Sequence, residues 1–179
     1  LLARGVAATA ASLFDTDGWT APFSKASPLQ LILGRARGET PSVSGWEQRD
    51  RVGLLVRPLI FVPAADREPE AILFDVAHQM ALLAARQVAP DEADWAAESM
   101  AEWMALRALG YSAAPVLEND PFAAESGTLA APDAATRFLV EAAARVGAAA
   151  VRSAWEEAGA EAGDDAEAFL RGLGSRGHT

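Results

Sequence analysis

Hydrophobic positions follow two regimes along this chain. Before about residue 70 they come in short clusters between polar turns; from Glu70 onward they recur every three or four residues. In the first regime Leu1, Leu2, Val6 and Leu13 share one face of an opening helix over about residues 1–14, which ends at the turn-rich DTDGW, Asp15 to Trp19. The runs PLQLILGRA, residues 28–36, and VGLLVRPLIFV, residues 52–62, are apolar and rich in branched side chains, so both read as strands. Pro58 directs the second toward an edge or a bend, because proline cannot donate to a ladder. Between them GETPSVSGWEQRD reads as a polar loop or hairpin connection.

The second regime is helical. Ile72, Leu73, Val76, Met80, Leu83 and Ala84 give one helix over residues 70–87, broken at Pro90. Asp91 caps a second helix that runs to about Leu109 and closes at Gly110. A long loop with Pro115, Pro121 and Gly127 leads to Pro132 and Asp133, which open a third helix near 133–146. A fourth covers about 147–158, and DDAEAFLRGLG forms a short last one after a solvated turn between Glu156 and Glu167. The order predicts an α+β fold: a small N-terminal β-sheet packed on a mainly helical domain. The expected organisation is a single domain over 1–179, with a helix and sheet in 1–69 and a helical part in 70–179.

Composition narrows the function classes. The net charge of −10 argues against nucleic acid as a partner, since a phosphate backbone calls for a basic surface. The chain has no cysteine, which removes disulfides, thiol catalysis and sulfur-ligated zinc, and suits a cytoplasmic or an exported protein equally. No apolar run is long enough for a membrane span. The opening LLARGVAATAASL reads better as an amphipathic first helix of a processed or truncated chain than as the tail of a signal peptide. No serine sits in a G-x-S-x-G setting, and the glycines form neither a phosphate loop nor a dinucleotide fingerprint. DTDG at residues 15–18 lacks the later ligands of a calcium loop and reads as a turn. Trp19 and Trp46 lie in polar segments, a placement suited to the rim of a cleft or an interface.

The candidate chemistry lies in residues 74–106, FDVAHQMALLAARQVAPDEADWAAESMAEWMAL. His78, Gln79 and Leu82 lie on one helix, Leu82 four residues after His78, and WAAESMAEW places Glu98 and Glu102 on the next. This arrangement resembles the HExxH…E pattern of gluzincin zinc metallopeptidases in a degenerate form. The likeness extends to the strands before the motif, to the AEW of residues 101–103, to FLVEAAARVGAAAVRSAWEEA at 138–158 and to AEAFLRGLG near the end. It is similar overall to a compact bacterial gluzincin-like domain with a zincin-like fold.

In that pattern two histidines four apart hold one metal and the glutamate between them activates bound water. The resemblance implies that His78 stands for the first ligand, Gln79 for the base, Leu82 for the second histidine and Glu98 for the third ligand. Glu102 would stand for a carboxylate that orients a ligand histidine. Leu82 has no donor atom, and an amide such as Gln79 offers no titratable acceptor near neutral pH. The only other histidine, His178, lies in the Gly- and Arg-flanked tail.

The expectation is a pseudopeptidase without catalytic residues or cofactor, which binds a protein or peptide partner through the old cleft or serves a structural role. The edge strand at about residues 29–35 would receive an extended peptide. Two alternatives stay open. One is a metal-dependent hydrolase with an atypical site at His78 and Glu98, the two residual candidates for zinc. The other is a helical interaction domain without peptidase ancestry.

Overall fold

The computed structural model describes residues 2–35, 42–49, 55–90, 94–111, 134–160 and 165–176. Helix α1, Leu2–Ala10, continues as a wider π-helical stretch, Ala11–Thr16, in which the Asp17 amide reaches the Ser12 carbonyl at 2.9 Å. This winding follows the predicted helix and carries Leu13 into the core, while Leu2 and Val6 pack at its margin.

Three strands form one sheet: β1, Gln30–Gly34; β2, Val43–Arg49; and β3, Leu55–Pro63. The order is β1-β3-β2, with β1 parallel and β2 antiparallel to β3. Two expectations are corrected here. The segment read as a loop or hairpin connection contributes a strand of its own, because β2 gains a full ladder along β3 despite its polar side chains. β3 is also central, not an edge. Pro58 is tolerated because β1 begins to pair only at Leu59, so the missing donor falls where β3 is flanked on one side. Along β3 Pro58, Ile60 and Val62 are buried while Leu59 and Phe61 are half-exposed, the period of a strand with one face on a core.

That core is built around α2, Pro69–Val88. Pro69 at its first position suits a helix start, where the amide would lack a partner. Residues 79–85 are buried all round, the mark of a central helix. β3 and β2 lie on one flank of α2, α1 on another, and α3, Asp94–Ala108, on a third. The sheet is fixed to the first turns of α2 by Arg67, which donates to Asp75 Oδ2 at 2.8 Å and to the Pro63 carbonyl at 3.0 Å. The Ser42 hydroxyl donates to the same carboxylate.

α3 ends as its sequence predicts. The Gly110 amide donates to the Arg107 carbonyl and the Tyr111 amide to the Leu106 carbonyl, both at 3.0 Å, and Tyr111 packs beside Leu106. Helices α4, Ala134–Val146, and α5, Ala148–Ala158, meet at Gly147, whose φ of +87° and ψ of 149° favour glycine. α6, Asp165–Arg176, packs on α5. α5 itself extends through Glu156, Glu157 and Ala158, so the solvated turn expected from Glu156 begins later. At its end Gly159 lies so close to α2 that an added Cβ would stand 2.4 Å from the Val88 carbonyl oxygen. Trp155 completes this joint: its indole donates to the Ala85 carbonyl at 3.2 Å and meets the Phe169 ring edge-on.

Trp19, expected at a rim, is buried instead. The DTDG turn before it is gripped from two sides. Arg107 of α3 reaches Asp17 Oδ1 at 2.8 Å, and Arg152 of α5 donates to the Asp17 and Gly18 carbonyls at 2.9 and 2.6 Å. The grip folds Trp19 inward. The side chain of Trp46, the long loop after α3, Pro132, Asp133 and His178 lie outside the described residues.

Candidate functional site

α2 and α3 bring His78 and Glu98 together. His78 Nε2 stands 3.4 Å from Glu98 Oε2, and Nδ1 stands 3.4 Å from the Gln79 amide nitrogen. Hydrogen on Nε2 and a lone pair on Nδ1 satisfy both contacts, since the carboxylate accepts and the amide nitrogen donates. The ring lies parallel to Phe74, one turn earlier on α2, with centroids 6.3 Å apart. His78 is thus held on three sides.

Gln79, the next residue, turns into the core. It is 6 % exposed, and its Oε1 finds no hydrogen-bond partner among the described residues. Leu82, one turn after His78, is 4 % exposed and belongs to the main apolar cluster. One turn further, Arg86 places Nη2 3.9 Å from Glu98 Oε1. His78, Leu82 and Arg86 therefore form a stripe at four-residue spacing, with Glu98 facing both of its polar ends.

Glu102 is used elsewhere. It accepts a hydrogen bond from Thr136 Oγ1 at 2.7 Å, which ties α3 to α4. On α3 the positions open to solvent near this cluster are Glu98 and Trp95, the latter 59 % exposed one turn before it. Arg86 and the exposed Trp95 were not singled out from the sequence. The signal for Arg86 was present, as the third member of the 78, 82, 86 series. Trp95 gave none, because a tryptophan beside alanines reads equally well as core.

A catalytic zinc needs three protein ligands and a water. Among the described residues no three His, Cys, Asp or Glu side chains lie close enough to hold a metal ion. His78 and Glu98 supply two donors, Leu82 puts hydrocarbon at the position of the second ligand, and the Arg86 guanidinium adds positive charge beside Glu98. These residues do not fit a catalytic zinc. Grooves lined by described residues lie away from this cluster, one of about 600 Å³ between α1 and the start of α2 and another of about 570 Å³ between α4 and α6.

The chain matches no family model, no curated protein and no solved structure. No described helix is long and apolar enough to cross a membrane.

Proposed function

We propose that this chain is a pseudopeptidase: a non-catalytic, gluzincin-like domain that has kept the helix pair of a metal site and lost its chemistry. Its remaining role is to bind a protein or peptide partner or to serve as structure. One observation carries the reading. The residues at the first and third ligand positions of the motif, His78 and Glu98, approach to 3.4 Å from separate helices. The α2–α3 hairpin places them opposite each other, as the motif alignment requires.

The positions that depart from the motif are consistent with a polar cluster in the metal's place. Glu98 would be left uncompensated once a cation departed, and the Arg86 guanidinium now stands on one side of it and the His78 ring on the other. Leu82 fills the vacated ligand position with buried hydrocarbon, which is stable without a metal. Gln79 keeps the shape of a glutamate without the charge, so no ionised group is buried there.

Elemental analysis after dialysis against trace zinc tests the reading. Wild type is expected to hold no stoichiometric zinc. Gln79→Glu with Leu82→His is expected to take up about one zinc per chain, and adding Arg86→Ala to tighten it roughly tenfold or more, the scale on which residues around a ligand set tune affinity. Stoichiometric zinc in wild type, lost in His78→Ala, would overturn the proposal in favour of a metal-dependent site at His78 and Glu98. A folded triple variant that takes up no zinc would show that the motif alignment is wrong.

A further inference from the structure

β1 is the outer strand of the sheet on one side, and among the described residues no strand pairs with its outer edge. Natural edge strands are usually protected by charge, proline or a bulge. β2, on the opposite edge, ends in Glu47, Gln48 and Arg49. β1 reads QLILG, without a charge or a proline.

Both faces of β1 are also incompletely covered. Leu33 is in register with Val62 and faces the α2 side, yet it is 43 % exposed; Ile32 is in register with Phe61 on the other face and is 40 % exposed. The core supports β3, while β1 rests mainly on β3 itself. A further strand beside β1 would cover Ile32 and Leu33 together and pair the row of backbone groups that no described strand meets.

The order of side chains indicates which strand fits. Around Ile32 the sequence is the same in both directions, Leu31-Ile32-Leu33. Antiparallel pairing about a two-fold axis at Ile32 sets Ile32 opposite its counterpart and Leu31 opposite Leu33 on each side, a self-complementary isologous contact. Charge points the same way. Each copy carries a net −10, so two copies approach most readily along a strip that carries none.

We infer that β1 is a homodimer surface: two copies pair β1 with β1 about Ile32, joining the three strands of each copy into one continuous sheet. The inference is independent of the reading of the α2–α3 cluster. A five-residue strand pair buries less than the ~800 Å² per partner of a standard interface, so the dimer is expected to be weak and to form as concentration rises.

Sedimentation velocity over a concentration series into the millimolar range tests this. Wild type is expected to move from monomer to dimer. Ile32→Lys and Ile32→Glu, at a half-exposed position that both side chains can occupy, are each expected to stay monomeric, because like charges would face each other across the axis. Their equimolar mixture is expected to restore the dimer. A wild type that stays monomeric throughout overturns the inference. So does a dimer that survives Ile32→Lys, which would place the contact elsewhere, and so does a mixture that remains monomeric.

Discussion

Leu82 stands one turn after His78 and one before Arg86, and the three show how single side chains set the character of this face. Glu98 is approached by a ring nitrogen at one end of the stripe and a guanidinium at the other, with buried hydrocarbon between them. A different pair illustrates what an exposed contact is worth. The Arg176 guanidinium donates to Glu157, which holds the Glu157 carboxyl below its ordinary value and raises Arg176 above its own. The folded value is lowered, so the pair's contribution to stability is present above the unfolded pKa of about 4.3 and is lost as pH falls through the folded value. Glu157 is solvent-exposed, and the contribution is small. In an NMR titration the Glu157 carboxyl should have its midpoint below that of a free glutamate. Arg176→Ala should move it back up with little change in Tm. A wild-type midpoint at the free value would show that the contact does not persist in solution.

Among the elements, the joint between α4 and α5 is the sharpest test of local geometry. Gly147 holds φ of +87° with ψ of 149°, a region that strains any residue with a Cβ. Gly147→Ala should lose about 1–3 kcal/mol in chemical denaturation; a change within a few tenths would mean the joint relaxes at no cost. This element was legible in the sequence, because FLVEAAARVGAAAVRSAWEEA breaks its helical period at that glycine. In 70–109 the spacing of Ile72, Val76, Met80 and Leu83 marked α2, while α3, which has no distinct apolar face, was legible from its punctuation by Pro90 and Gly110. β2 was obscured: VSGWEQR has little hydrophobic signal, and its strand character comes from pairing with β3. The central place of β3 was hidden by Pro58, whose tolerance depends on where β1 begins. At the site, sequence spacing brought His78 and Glu98 into view. The destination of Glu102 did not follow, since its partner Thr136 lies on a helix that no local pattern relates to it.

For the molecule as a whole, burial is concentrated on α2 and thins toward β1. Hydrogen exchange should follow that gradient. Amides of residues 79–85 should exchange last, by global unfolding, and those of β1 early at low concentration, slowing only where the dimer forms. Slow exchange in β1 of a verified monomer, or early exchange at the centre of α2, would contradict this distribution. The grip on the DTDG turn has a different consequence. Arg107 and Arg152 reach Asp17 and Gly18 from positions 90 and 134 residues further along the chain, and Trp19 is buried between these contacts and the core. The N-terminal segment is therefore held by helices from both sides of the long connection after α3. Arg152 on the Asp17 and Gly18 carbonyls and Trp155 on the Ala85 carbonyl hold α5 to the DTDG turn and to α2. The parts of the chain before and after the long connection thus carry complementary surfaces, joined by these contacts as well as by the backbone.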